Sequence, residues 1–258
     1  MRRELSDLAE ARRAERRGRL DEAERLYRPA LAVRPDWVLA AVPLARLVAA
    51  RAEPTAAEAI AEARRILEAP RASQPRHALL AVVEAELLLD EDRADEAKAL
   101  LVAARGPRVV ALALARAENA IGVQLASAGR TDEAAFAFKR ACDLDADWAP
   151  PRANLGALWQ RLGRAQKARE QYERALALDP THALASFNLG TLLRARGDFE
   201  AAHRAFTRAA RAPSPHAEAR RELARNLAMM YARDGRLIEA AALLREADGN
   251  SEPPPASK

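Results

Sequence analysis

The stretch "NLGALWQRLGRAQKAREQYERALALDP", from Asn154 to Pro180, decides the fold because its skeleton returns further along the chain. The sequence from Asn188, 34 residues later, reads "NLGTLLRARGDFEAAHRAFTRAA". Five other positions keep this step over three copies: Gly122, Gly156 and Gly190; Gly129, Gly163 and Gly197; Ala134, Ala168 and Ala202; Phe138, Tyr172 and Phe206; Ala141, Ala175 and Ala209. A period of this length indicates a repeat protein built from one supersecondary unit.

Each copy has the pattern of two helices joined by a short turn. In the Asn154 copy, Leu155 and Trp159 share one face of a first helix, and Gly163 ends it. Glycine suits this position because it adopts the left-handed conformation without a Cβ penalty. A second helix carries Tyr172 on its apolar stripe, and Pro180 follows its end.

A glycine inside each first helix, such as Gly156, needs a packing reason. Glycine in a helix interior costs about 1 kcal/mol relative to alanine. We therefore predict that the second helix crosses closely at this point in each copy.

The pattern resembles the tetratricopeptide repeat, a helix–turn–helix unit of about 34 residues. The copy spanning 149–182 carries the residues of its signature: Leu155, Gly156, Trp159, Gly163, Ala168, Tyr172, Ala175 and Pro180. It departs from the family only at the leading tryptophan, where Arg152 stands. The resemblance implies an all-α fold, a right-handed superhelical solenoid of antiparallel helix pairs.

Reading outward from this copy gives about seven repeats in a single solenoid over residues 4–248. Their expected ranges are 4–37, 38–74, 78–111, 115–148, 149–182, 183–216 and 221–248. Asp92 replaces the turn glycine in the third repeat, and Pro43 should bend the first helix of the second. Extended inter-repeat loops are expected at Pro70–His77 and Pro213–Arg220. The polar, proline-rich end at 249–258 is expected to be a disordered tail.

The composition favours helices and restricts the function classes. The chain of 258 residues has 42 basic and 37 acidic residues, a net charge of +5, which permits an acidic partner or nucleic acid without requiring either. The single cysteine excludes an internal disulfide. The N-terminus lacks the apolar run of a signal peptide, and no stretch of 18 uncharged apolar residues occurs. We therefore expect a cytoplasmic protein without a membrane segment.

Three asparagines occupy the sixth position of the three C-terminal repeats, and the family resemblance implies that this position faces a concave groove. They are Asn154, Asn188 and Asn226. A carboxamide donates and accepts at once, so a row of them could hold an extended peptide by its backbone. The row is similar to the asparagine ladder of protein O-GlcNAc transferases. The alternative is a solvated polar residue inherited through repeat ancestry.

The family's other asparagine-based site, the carboxylate clamp of chaperone adaptors, is not expected here. Its lysine positions hold Pro150, Leu184 and Glu222 in this sequence. The N-terminal repeats lack the asparagine as well, so the groove is expected in the C-terminal half of the chain.

Basic and aromatic residues near the same face extend the candidate peptide site. The arginines, with Asn119, could favour an acidic or phosphorylated segment through charge-assisted hydrogen bonds, or they could form a solvated face. Phe187 could be an exposed anchor or packing between repeats. The basic candidates are Arg116, Arg161, Arg194, Arg225 and Arg233.

No catalytic residue, metal site or cofactor is expected. The four histidines lack metal-ligand spacing, and Cys142 has no histidine near it in the sequence, so we interpret it as an inert core residue. The favoured hypothesis is a non-catalytic scaffold or adaptor that binds an extended, acidic or neutral peptide segment of a protein partner. The alternative is a substrate-recruiting accessory subunit of a separately encoded enzyme. Nucleic-acid binding is the least favoured, because it needs stacking aromatics along a basic track. The oligomeric state is left open.

Overall fold

The structure, a computed structural model, describes residues 2–50, 55–104, 108–212, 219–233, 235, 236 and 239. These residues form thirteen α-helices and no β-strand. The helices are α1 Arg2–Arg16, α2 Leu20–Val33, α3 Val38–Ala49, α4 Ala56–Ser73, α5 Ala78–Asp90, α6 Ala94–Ala103, α7 Arg108–Ser127, α8 Thr131–Leu144, α9 Ala149–Arg161, α10 Ala165–Leu178, α11 Ala183–Ala195, α12 Phe199–Arg211 and α13 Ala219–Arg233.

Helices α1 to α12 form six consecutive pairs in the order of the first six predicted repeats, although α7 begins at Arg108, inside the range predicted for the third repeat. Helix α13 is the first helix of the seventh, whose second helix and the following tail fall outside the described residues. The all-α prediction of successive helix pairs is therefore confirmed. The seventh pair stays a prediction.

The chain divides into two compact units, residues 1–121 and 122–258, and the boundary falls inside α7. We call them the N-terminal and C-terminal units. In each unit a first helix packs on the second helix of its own pair, as α9 does on α10. That second helix then packs on the next first helix, as α10 does on α11. Each pair thus completes its apolar contacts with its neighbours.

The turns that join the helices of a pair share one hydrogen-bond pattern wherever the structure describes the whole turn, so the turn between α3 and α4 is left aside. Gly163 has a φ of +69°, and the Arg164 amide donates to the Trp159 carbonyl at 2.8 Å. This 6→1 bond is the Schellman arrangement that satisfies carbonyls at a helix end. Asp92 takes the same left-handed conformation, with φ +62°, and Arg93 donates to Leu88 at 2.8 Å. The third turn therefore forms as predicted without its glycine.

The expected loop at Pro70–His77 is wrong in extent, because α4 runs through Pro70 to Ser73. Pro70 is buried in that helix, and its carbonyl still accepts from Gln74 at 2.8 Å. A proline removes one helical donor, and burial of its ring offsets that loss. Helix α3 likewise continues through Pro43. Of the other expected loop, residues 213–218 lie outside the described residues, and α13 already begins at Ala219.

Among the described residues one helix, α7, is long and apolar enough to span a membrane by length and composition alone. It carries Arg116 and Glu118 near its middle. Glu118 is buried, and its Oε1 lies 3.0 Å from Lys98 Nζ in the same unit. A buried carboxylate with a basic partner is a feature of helix packing inside a protein.

The predicted close crossing is present in three pairs of the C-terminal unit. A Cβ added to Gly156 would lie 2.7 Å from Tyr172 Cε1, inside the contact distance of real Cβ atoms. The corresponding distances are 2.6 Å from Gly122 to Phe138 and 2.8 Å from Gly190 to Phe206. The aromatic ring of the second helix therefore rests directly on the backbone of the first.

Where the ring is missing, the glycine is missing too. In the third pair the equivalent positions hold Ala85 and Leu101, both buried in one cluster. An alanine methyl and a leucine together fill the space that a bare backbone and an aromatic ring fill elsewhere. The first pair keeps a tyrosine, Tyr27, with Ala11 as its partner position.

A polar partner on the first helix accompanies each tyrosine that fills this position. The Tyr27 hydroxyl donates to Glu15 at 2.9 Å, and the Tyr172 hydroxyl donates to Gln160 at 2.8 Å. Where phenylalanine replaces tyrosine, as at Phe206, the equivalent position holds Arg194, whose guanidinium carbon lies 5.4 Å from the ring centroid. Buried hydroxyls need such partners because an unsatisfied one is costly.

We expect Gly156→Ala to lower the midpoint of thermal unfolding. Overpacking costs about 1–3 kcal/mol, and the better helix propensity of alanine returns up to about 1 kcal/mol. The Tyr172 ring cannot move away freely, because its hydroxyl is bound to Gln160. Circular dichroism melting would measure the change.

The matched control is Gly156→Ala combined with Tyr172→Leu, which copies the pairing of Ala85 with Leu101. The two substitutions together should cost less than the sum of their separate costs. An unchanged or higher midpoint for Gly156→Ala alone would contradict the close-packing explanation.

Candidate peptide-binding site

Two of the three predicted asparagines remain accessible on neighbouring first helices. Asn154 on α9 and Asn188 on α11 are both half-buried, one repeat apart. Helices α9 and α11 also pack against each other. Their asparagines are therefore positioned along one face of the C-terminal unit.

Asn188 also contacts the preceding pair. Burial raises the pKa of the Tyr172 hydroxyl, while a hydrogen bond with Asn188 acts in the opposite direction. Asn188 thus connects α11 to the tyrosine of α10 and still keeps part of its surface accessible.

Asn226 is not an open ligand group, which corrects the predicted row. Its side chain is fully buried, and Nδ2 donates to the Phe199 carbonyl at 2.9 Å. Met230 Sδ lies 3.8 Å from the same nitrogen. Because α13 packs on α12, the sixth position of this repeat is covered, and Asn226 joins the two helices.

The predicted basic residues of the C-terminal unit mostly contact their own chain. Arg161 donates to the Ala126 carbonyl at 3.2 Å, and Arg233 pairs with Glu200 at 2.7 Å. Arg194 covers the Phe206 ring. These three arginines therefore have intramolecular roles between or within repeats.

The remaining basic and polar candidates are divided between the two units. Arg225, on α13, is half-buried. Arg116 and Asn119 belong to the N-terminal unit, where Arg116 is exposed with a nitrogen 3.6 Å from Glu86, and Asn119 is half-buried. Of these three residues, Arg225 alone belongs to the same unit as the asparagines of α9 and α11.

Phe187 packs against the core rather than standing free. Its ring lies 5.8 Å from the Phe206 ring in an edge-to-face arrangement, and its side chain is half-buried. Of the two roles considered for it, interface packing is the one that the contacts support.

Sequence reasoning missed the uncharged stripe around the two asparagines. On α11 it consists of Leu184, Asn188 and Thr191, and on α9 of Pro150, Asn154 and Ala157. Each set follows the i, i+4, i+7 spacing of one helix face. Leu184 is 38% exposed, an accessible apolar side chain next to the amides.

In the fifth and sixth pairs, charge is segregated onto the second helix. Helices α9 and α11 contain only three charged residues: Arg152, Arg161 and Arg194. The partner helices α10 and α12 carry five and four: Lys167, Arg169, Glu170, Glu173 and Arg174; Glu200, Arg204, Arg208 and Arg211. This difference in charge is visible in the sequence when the first helices α9 and α11 are compared with the second helices α10 and α12.

The described residues give no arrangement suited to metal binding or to nucleophilic chemistry by Cys142. Among them there is no group of three or more histidine, cysteine or acidic side chains that could hold a metal ion. Burial raises the pKa of the Cys142 thiol, and the nearby guanidinium of Arg152 lowers it by a smaller amount. A raised pKa depletes the reactive thiolate.

We expect Asn226→Ala to destabilise the C-terminal unit more than Asn154→Ala does. Removing the buried Asn226 amide breaks its hydrogen bond to the Phe199 carbonyl and leaves the space of the amide unfilled. This costs about 1–3 kcal/mol. Asn154 is half-exposed, so its truncation should cost less. Thermal melting of both variants gives the comparison, and equal effects would contradict a structural role for Asn226.

We expect the Cys142 thiol to react slowly in the folded protein. Its pKa is raised, so at pH 8 the thiolate fraction lies below that of an exposed cysteine, and reactivity rises only at higher pH. Because the chain has one cysteine, a thiol-specific chromogenic reagent reports this residue alone. Denaturant should accelerate the reaction strongly, and fast labelling without denaturant would contradict the buried placement.

Comparisons with known proteins place the fold. A sequence model of the tetratricopeptide repeat matches residues 151–213, and a second one matches residues 188–254. A comparison with curated proteins gave no match.

Several solved structures share the helix-pair architecture. The anaphase-promoting complex hetero-tetramer Cut9–Hcn1 aligns with a TM-score of 0.57 and 16% identity, over 95% of this chain and 42% of that chain. The human IFIT1 dimer with m7Gppp-AAAA aligns with a TM-score of 0.54 and 14% identity, over 90% of this chain and 55% of that chain. This chain thus spans only about half the length of either.

YrrB, a tetratricopeptide-repeat protein with an unusual peptide-binding site, aligns with a TM-score of 0.50 and 19% identity, over 70% of this chain and 90% of that chain. At these identities the likeness concerns the fold alone. The two repeat models together match residues 151–254, and with the six consecutive helix pairs they support a tetratricopeptide-repeat protein.

Proposed function

We propose that this protein is a non-catalytic protein-interaction scaffold that binds an extended peptide segment of a partner. The tetratricopeptide fold supports the scaffold role in general. The binding face is the uncharged stripe of α9 and α11, defined by Pro150, Asn154 and Ala157 with Leu184, Asn188 and Thr191. The observation that carries this choice is the segregation of charge onto the second helices.

An uncharged, accessible face is unusual in a chain of which 31% is charged. The second helices present charged side chains to solvent. Exposed charges keep a protein soluble and disfavour non-specific association. First helices that omit those charges leave apolar area such as Leu184 to be covered, and depletion of charge marks the core of protein interfaces.

The groups on this face suit a peptide backbone. The carboxamides of Asn154 and Asn188 each offer a donor and an acceptor, and Thr191 lies one turn beyond Asn188. An extended segment has unpaired amide and carbonyl groups that these side chains can bind. Leu184 would cover an apolar side chain of the segment.

The contacts of the arginines favour a peptide read by its backbone over one read by negative charge. Arg161, Arg194 and Arg233 already bind a carbonyl, a ring and a carboxylate of their own chain. An acidic partner would have to displace these contacts.

Neighbours of this fold include both a peptide-binding protein, YrrB, and IFIT1 with capped RNA. Single-stranded nucleic acid requires aromatic platforms beside a basic track. The six residues of the stripe include no aromatic and no basic residue. The stripe therefore favours the peptide.

The test begins with selection of binding peptides from a displayed random library, with the full chain as bait. We expect Asn154→Ala with Asn188→Ala to weaken the selected peptides at least about tenfold in fluorescence anisotropy, since two amides each contribute about 1 kcal/mol. Glu170→Ala with Arg204→Ala, on the second helices, is the matched control and should bind like the wild type. Equal loss in both variants, or no loss in the first, would refute the assigned face.

Salt dependence separates this mode from phosphate binding. We expect the affinity for the selected peptides to change only slightly between 50 and 200 mM salt, the range over which a nucleic-acid contact to many phosphates loses roughly a thousandfold or more. The same titration with a labelled oligonucleotide is the comparison. A steep decrease for the peptides would point to charge recognition instead.

A further inference from the structure

A second surface, in the N-terminal unit, is a small cavity with a mainly apolar lining and two arginines. The cavity measures about 300 Å³ and lies among α2, α3 and α4. Its apolar lining includes Leu31, Leu44 and Ile66, and two arginines, Arg28 and Arg65, also line it. It shares no residue with the stripe on α9 and α11.

The apolar lining gains free energy if a ligand covers it. Leu44 is buried, whereas Leu31 and Ile66 are half-buried and keep part of their surface accessible. Two small residues, Ala32 on α2 and Ala69 on α4, also line the cavity and leave it open. A cavity of this size, at the lower end for binding pockets, accommodates one bulky side chain rather than a large ligand.

The two arginines of the cavity differ in their partners. Arg28 binds Glu24 at 2.8 Å and Glu62 at 2.5 Å, so its charge is neutralised within the protein. Arg65 is exposed and has no ion pair, hydrogen bond or ring contact with any residue that the structure describes. The open charge at the cavity is therefore the guanidinium of Arg65.

The neighbour of Arg65 on α4 has a different role. Arg64, on the same turn of α4, makes two bonds to Glu91 at 2.8 and 2.7 Å. Those bonds join α4 to the turn that follows α5, a structural role. Arg65 makes no such contact and lines the cavity instead.

We propose that this cavity binds a partner segment in which a bulky apolar side chain and a carboxylate lie within three residues of each other. The apolar side chain covers Leu31, Leu44 and Ile66, and the carboxylate pairs with Arg65. A guanidinium matches a carboxylate in a bidentate geometry, so the pair adds orientation to the apolar contact. A basic segment is disfavoured, because it brings a like charge to Arg65.

The chain offers a direct reporter of this cavity. It has four isoleucines, Ile60, Ile66, Ile121 and Ile238, and only Ile66 lines the cavity. Labelling the isoleucine δ1 methyl groups of the full chain gives a simple NMR spectrum. Substitution of Ile66 by valine assigns its signal.

The probes are three acetylated and amidated hexapeptides of serine and glycine, each with one leucine and one glutamate. The glutamate lies one, two or three residues after the leucine. Matched peptides carry glutamine or lysine in place of glutamate, or serine in place of leucine. We expect at least one glutamate peptide to shift the Ile66 methyl signal saturably at millimolar concentration or below, with Ile121 unmoved.

Removing the open charge should weaken binding without unfolding the protein. We expect Arg65→Ala to raise the Kd of that peptide roughly threefold to fivefold, the range of one exposed ion pair, and to leave the glutamine peptide unaffected. Arg25→Ala is the matched control, because Arg25 is exposed on α2 outside the cavity. Its Kd should equal that of the wild type.

Three results would overturn the proposal. The first is that no glutamate peptide shifts Ile66 at millimolar concentration. The second is that the lysine or serine peptide binds as well as the glutamate peptide. The third is that Arg65→Ala and Arg25→Ala have equal effects while the Ile121 signal shows an intact fold.

Discussion

The contact between a backbone and an aromatic ring is the constraint on which the C-terminal repeats depend. Gly156 lets the Tyr172 ring rest on the first helix, and the ring then occupies space that a Cβ at position 156 would enter. The distance between the two helices of a pair follows from this contact, and so does the position of each stripe residue on the first helix. Repetition at Gly190 and Phe206 reproduces the same geometry one repeat later, which places Asn154 and Asn188 in equivalent settings.

Most of the fold could be predicted from sequence because the information is local and repeated. A turn between the helices of a pair needs a residue that tolerates a positive φ, and both Gly163 and Asp92 meet this requirement. The requirement concerns only a few neighbouring residues, so it can be recognised in the sequence. Pro70 shows where local reasoning fails. A proline normally predicts a helix end, but burial of its ring in the N-terminal unit keeps α4 continuous to Ser73. That burial depends on tertiary packing that no short segment encodes.

The repeat position of the candidate site residues was predictable from the sequence, but their exposure to solvent was not. Repeat register correctly assigns Asn154, Asn188 and Asn226 to one position of the first helices, yet only the first two stay accessible. Whether a position is open depends on how closely the next pair packs, and α13 approaches α12 closely enough to bury Asn226 against Phe199. The arginines illustrate the same limit, since a basic residue such as Arg233 reads as a ligand group until its partner, Glu200, is known.

The same repeat position is used differently along the chain, and this explains why the stripe lies in the C-terminal unit. At the ninth position of the first helices, the N-terminal unit holds Arg46 and Glu86, which bind each other through two contacts at 2.8 and 3.0 Å. The C-terminal unit holds Ala157 and Thr191 at that position. An ion pair that bridges α3 and α5 stabilises the stack but occupies the groups a ligand would need. First helices without such pairs, α9 and α11, leave this position available for the peptide binding that we propose.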